Sequence, residues 1–355
     1  AVAKEGGVAI QRGAEIAIEE INEQGGVLNR PLKLIIKNHR GNPARGINNI
    51  KQFSEIKDLV AVIGGVHTPV ALKELPILHQ NKIIYLDPWA AGTPVVDNGY
   101  VPNYVFRVSV RDAEAAKVMI PHAKQRGIKR VGLLLERTGW GRSNEKSLTE
   151  AAKKHHVEIV QIAWFNWGKK ALESEINTLR EAGAEVIILV GNAPEGASLM
   201  KAMLKQEHKL PIISHWGIAG GNFVERVGLE SLQKLDVSVL QTYSFAKPHN
   251  DKLNTTVLKR YQEKYGANIT AESIPGAVGT AHTYDLVHLL AKAISAAGTT
   301  ERSKIRDELE RLPSYNGLVK HYQPAFTKTQ HDALLSDDYI MSSFDENGNL
   351  VPIQE

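Results

Sequence analysis

The chain has 355 residues, room for two domains, and its 43% hydrophobic and 23% charged residues describe an ordinary globular composition. Its 43 Lys and Arg against 39 Asp and Glu leave a net charge of +4 with the signs well mixed, so no basic run offers a nucleic-acid backbone a site. No apolar stretch reaches the roughly 18 residues of a membrane span, and the absence of cysteine excludes disulfides, thiolate metal sites and cysteine nucleophiles.

The N-terminal AVAKEGGVAI carries neither a signal peptide nor the strand that usually opens an α/β lobe, which predicts a chain beginning inside a longer precursor. Ala14, Ala17, Ile18 and Ile21 then fall on one face of an amphipathic helix that ends at Gly25–Gly26. Leu32–Lys37 reads as a strand. Asn42 and Pro43 supply an N-cap and a first-turn proline for a helix through Lys57. Strand at Leu59–Gly64, helix at Val70–Gln80 and strand at Lys82–Asp87 complete an alternation that implies a parallel sheet with helices on both faces. The alternation resumes with strands from Arg130 (RVGLLLE), at Val157–Trp164, Glu185–Val190 and Leu210–Ser214. A third block holds a strand at Val237–Tyr243 and long helices at Asn250–Tyr265 and Gly276–Ala297. From Tyr315 the tail is strand-like and rich in turns, with Asp345–Gly348 (DENG) as a hairpin turn.

Polar connections at Val108–Asp112, Tyr243–Pro248 and Tyr322–Thr327 separate these blocks. They predict two discontinuous lobes, 1–109 with 245–322 and 110–244 with 323–355, joined by short crossings suited to a hinge.

Familiar catalytic motifs are missing. Gly139–Trp140–Gly141 is followed by Asn144 where a dinucleotide loop needs its third glycine. Gly191–Gly196 has P-loop spacing but is followed by Ala197–Ser198, and neither H-E-x-x-H nor G-x-S-x-G occurs. His155 and His156 sit with lysines on a polar helix end and read as surface, while His282 and His288 are poorly spaced to share a helix face. This predicts a non-enzyme with no cofactor and no metal.

Two segments instead echo each other. VAVIGGVHTP (Val60–Pro69) and IILVGNAP (Ile187–Pro194) are each an apolar strand ending in glycine, a short polar loop with proline, and a helix. Glycine permits close backbone approach to a ligand, and a helix start leaves N–H donors free for an anion. Two such loops, one in each half, suggest two lobes facing a common cleft.

The stretch Arg12–Asn29 (RGAEIAIEEINEQGGVLN) resembles the opening helix of the type I periplasmic solute-binding proteins of ABC transporters, above all the leucine/isoleucine/valine-binding branch. Ile63–Gly65 with His67–Thr68, Asp87–Ala90, Phe106–Arg107, Thr138–Gly141, Gly191–Glu195 and Tyr284–Asp285 follow at the family's spacing, so the likeness covers nearly the whole chain. It implies two Rossmann-like lobes joined by three crossings and closing on a small molecule.

Carried over position by position, the resemblance puts Thr68 where a serine holds the ligand carboxylate. It puts Trp89 where a backbone carbonyl meets the ligand ammonium, and Ala91 where a threonine donates to the carboxylate, with Thr93 two residues on as a substitute hydroxyl. Asn192 matches a tyrosine on the ammonium side, and Trp140 an aromatic of the second lobe. The resemblance puts Gly41 and His67 at the family's disulfide positions, a departure from its pattern. His67 and His215 each either donate to a ligand oxygen or satisfy a loop carbonyl. Trp164 and Trp167 read as structural, and Arg107 as part of a hinge ion pair.

The sharpest departure is Trp216, which stands where the amino-acid receptors have the glutamate that neutralises the ligand ammonium. Glu195 reads instead as an acid opening a helix. An unpaired ammonium is costly in a closed cleft, so the expected ligand is a carboxylate-bearing apolar or aromatic solute, with a branched-chain or aromatic amino acid as the alternative. The sequence thus predicts a monomeric extracytoplasmic receptor, periplasmic or membrane-anchored outside the cell, whose partner is the ABC permease of the inner membrane. A ligand-sensing module of a signalling system would share the fold; an α/β enzyme would need the motifs that are missing.

Overall fold

The computed structural model describes residues 3–354. Two lobes form around separate sheets. The first lobe's sheet has three parallel strands, β1 (Val62–Ile63), β2 (Tyr85–Asp87) and β3 (Val105–Arg107). The second is built from β4 (Arg130–Glu136), β5 (Glu158–Phe165), β6 (Val186–Val190), β7 (Ile212–Ser214) and β8 (Val237–Gln241), all parallel. After a small ladder of β9 (Tyr315–Asn316) and β10 (His321–Tyr322), the chain returns to add β11 (Ile340–Phe344) and β12 (Leu350–Pro352) antiparallel to that edge. The resulting seven-stranded order is β12-β11-β8-β7-β6-β4-β5. Asp345 makes the turn between β11 and β12 by accepting the N–H groups of Asn347 and Asn349.

Strands β6 and β8 are buried along their whole length, as their Val/Ile/Leu-rich sequences require of strands covered on both faces. The helix Lys4–Glu23 lies along the helix Ala277–Ala297 in the first lobe. Gly13 makes that approach possible, because a Cβ there would stand 2.3 Å from the Thr280 carbonyl oxygen. No helix among the described residues is long and apolar enough to cross a membrane.

One predicted strand is not a strand. Leu32–Lys37 runs without ladder partners. Asn22 takes both backbone groups of Leu32, accepting its N–H at 2.7 Å and donating to its carbonyl at 2.9 Å. Leu32 and Leu34 pack on the core, while Ile35 and Ile36 stay 44% and 56% exposed. The alternating pattern therefore reports a one-sided extended segment.

The crossings are tied by buried charge. Arg107, the last residue of β3, is fully buried; its Nε donates to Asp332 at 2.5 Å and its Nη1 to the carbonyls of Ala90 and Gly92. Arg111 reaches the other oxygen of Asp332 at 3.0 Å and also pairs with Asp97. Burial pushes Asp87, 3.9 Å from Arg107, up to about 7; the guanidinium pulls it down and Asp332 adds to the rise. The sequence reading of Arg107 as a hinge ion pair matches this geometry.

Candidate ligand-binding cleft

Five loops converge between the lobes, and each leaves the carboxyl end of a parallel strand, where open α/β sheets place ligands. The loop after β1 brings Val66, His67, Thr68 and Pro69, and the loop after β2 brings Trp89 and Ala91. From the second lobe come Glu136 at the end of β4 with Trp140 beyond it, Asn192 after β6, and Trp216 with Gly217 after β7. Seven of the nine residues singled out from the sequence thus line one cleft.

The rings form its walls. Trp89 and Trp216, from opposite lobes, face each other with ring centres 5.2 Å apart. Trp89 is seated against Gly279 of the helix Ala277–Ala297, where a Cβ would approach the ring to 2.9 Å. Gly217 likewise makes room for Trp140, whose ring a Cβ would meet at 2.7 Å. The Trp140 indole N–H donates to Asp112 at 3.1 Å.

Thr68 opens the helix Thr68–Gln80, and His67 stands as its N-cap without a side-chain cap bond. The Thr68 hydroxyl accepts the Gly92 N–H at 3.1 Å, so it also fixes the neighbouring loop. The Trp89 carbonyl, implied by the resemblance to meet a ligand ammonium, already accepts the Ser109 hydroxyl at 2.8 Å.

Two expected residues stand elsewhere. The Thr93 hydroxyl accepts the Ala113 N–H at 3.1 Å, because Gly92 and Thr93 turn into the short helix Thr93–Val96. Its backbone N–H crosses to the Ser143 hydroxyl of the second lobe. His215 is fully buried behind Trp140 and does not line the cleft. Its Nε2 meets Asp112 at 2.9 Å and its Nδ1 accepts the Trp216 N–H, so the ring holds the loop.

Two other residues enter the site unannounced. Glu136 is fully buried at the cleft and accepts three hydrogen bonds: from the Thr138 hydroxyl (2.5 Å), the Trp167 indole (2.8 Å) and the Asn192 amide (2.9 Å). Burial pushes its carboxyl up to about 7 against the pull of the Thr138 hydroxyl and the Trp167 indole, with Glu195 and Asp112 adding to the rise. Its sequence signal was a lone acid closing the apolar strand RVGLLLE. Trp167, read as structural, bridges the lobes by packing on His67 with ring centres 5.1 Å apart. Burial and the nearby His39 hold His67 down at about 4, so its imidazole is neutral. Gly41 abuts the same His67 ring.

The family model for periplasmic binding proteins matches residues 1–349. The chain belongs to that family. A Leu/Ile/Val-binding protein homolog 1 from Brucella abortus (strain 2308) is 25% identical over 321 residues, 88% of this chain and 80% of the relative. The periplasmic binding protein type 1 from Bordetella pertussis Tohama I superposes with a TM-score of 0.89 at 23% identity, covering 98% of this chain and 96% of that one. A solute-binding protein of an R. palustris ABC transporter, solved with benzoate, superposes with a TM-score of 0.81 at 15% identity over 98% and 91% of the two chains. The fold is that of the type I periplasmic binding proteins.

Proposed function

We propose that the protein is an extracytoplasmic receptor that hands a small carboxylate-bearing solute with an apolar or aromatic body to an ABC importer. Residues 1–109 with 245–322 close as one lobe on residues 110–244 with 323–355. The carrying observation is the cleft itself, where tryptophan rings from both lobes face one another beside the Thr68 helix start. An apolar body between rings with a few polar groups to orient it is the usual design of such sites. The helix N-terminus and the Thr68 hydroxyl suit a carboxylate. A Leu/Ile/Val-binding name among the relatives and a benzoate complex among the structural neighbours both fit this solute class.

Mass spectrometry of solute released from natively purified protein, with a thermal-shift panel of small carboxylates, tests the reading. A matching carboxylate at 100 times its Kd adds about 2.7 kcal/mol of stability and is recovered unchanged after incubation. A panel in which no carboxylate stabilises the protein, or in which the solute is consumed, overturns it.

A further inference from the structure

We infer that Glu136 selects solutes carrying a cationic nitrogen, serving from the end of β4 as the counter-charge that Trp216 cannot provide. The inference rests on the cleft being the solute site, as proposed above. An ionised carboxylate offers about four acceptor positions. Thr138 uses one on Oε1, Trp167 and Asn192 use two on Oε2, and Glu136 lines the cleft with one position left over by that count.

The surroundings have the sign that a cation requires. Behind Glu136 stand two more buried carboxylates. Glu195 accepts the Gly168 N–H through Oε1, and its Oε2 is without a partner. Asp112 holds Trp140 and His215 through Oδ1, and its Oδ2 is likewise without a partner. Facing Glu136 from the first lobe, across Trp167, is a neutral His67. The buried arginine of the crossings is occupied with Asp332 and Asp87. No Lys or Arg stands among the described residues that line the cleft, so a solute bearing an ammonium would bring the positive charge, and the indole faces attract a cation as well. The Thr138 and Trp167 donors favour its charged form, whereas burial and the two other acids oppose it. A cation entering the cleft tips that balance toward ionisation, so binding releases a proton near neutral pH.

The test uses two sets of probes on the full chain: phenylalanine, 3-phenylpropanoate and phenethylamine; and leucine, 4-methylpentanoate and 3-methylbutylamine. Calorimetry at pH 6 and pH 8, in buffers of different ionisation enthalpy, reads affinity and proton release. None of these probes titrates appreciably between those pH values.

The expected result is that an amino acid binds at least tenfold more tightly than its deaminated acid. Its affinity rises about tenfold from pH 6 to pH 8, as a group titrating near 7 goes from about one-tenth to nine-tenths ionised. The rise disappears in Glu136→Gln, and the wild-type proton release carries the same information if that variant folds poorly. If the amine alone binds and the acid does not, the Glu136 assignment stands and the carboxylate reading falls. If the deaminated acid binds as tightly as the amino acid or more so, or if the amino acid's affinity does not rise from pH 6 to pH 8, the Glu136 assignment is wrong and the carboxylate reading survives. Failure of every amine-bearing probe to bind also overturns it.

Discussion

Asp332→Asn probes the buried charge at the crossings. Asparagine keeps the shape and the oxygen that Arg107 Nε reaches at 2.5 Å, but removes the charge that Arg107 and Arg111 share. Breaking a fully buried pair costs about 3–5 kcal/mol. Here the remaining partner is Asp87, 3.9 Å from Arg107 and held near 7 partly by Asp332 itself. Without Asp332, Asp87 ionises more readily and takes over part of the pairing, so the expected loss at pH 8 lies near the lower end, about 3 kcal/mol. The sign with pH follows. The native variant binds fewer protons than native wild type in the window below about 7, so its stability relative to wild type improves as pH rises through that window. The loss is therefore larger at pH 5.5 than at pH 8, by about 1 kcal/mol if Asp87 falls by one unit and by no more than about 2 kcal/mol however far it falls. Urea unfolding followed by circular dichroism at the two pH values measures both quantities. A loss below about 1 kcal/mol, or one independent of pH, would refute the view that this charge is paired and desolvated.

Thr68→Ala is expected to weaken binding of a carboxylate about 10–150-fold by calorimetry and to lower stability by about 1–3 kcal/mol, because the Gly92 N–H loses its acceptor; Thr68→Ser should restore most of both. Gly13→Ala should destabilise by about 1–3 kcal/mol in urea unfolding, since its Cβ would press on the Thr280 carbonyl; an unchanged midpoint would mean the two helices separate freely. His67, held at about 4 when folded against an ordinary 6.5, contributes stability that is present above 6.5 and lost as pH falls toward 4, about 3 kcal/mol in all. His67→Phe should flatten that part of the acid-stability profile, and an unaltered profile would show that His67 titrates normally.

Much of this fold was legible because its signals are local. Apolar strands ending in glycine and amphipathic helices with clear stops located nearly every element, and the loops at strand ends located most of the cleft. What escaped depends on partners distant in sequence. Leu32–Lys37 has a strand's alternation, but Asn22 takes the backbone groups of Leu32 that a ladder would use. Thr93 and His215 have the right chemistry beside the right loops, yet their polar atoms are turned to Ala113, Asp112 and Trp216. Glu136 and Trp167 join through a bond across 31 residues that no spacing rule anticipates. The acid missing at position 216 was visible; the acid standing elsewhere in the same cleft was not.

The lateral bonds among the cleft loops have a consequence for adaptation. Thr68 to Gly92, Ser109 to the Trp89 carbonyl, Thr93 to Ala113 and His215 to Trp216 hold the backbone without using the faces of Trp89 or Trp216. The scaffold and its upholstery are separable. Exchanging either ring leaves those four bonds in place, so the loops stay tied and little ordering entropy is charged to the incoming solute. A lineage of such receptors can then drift from one nutrient to another through a few side-chain replacements without relearning how to fold.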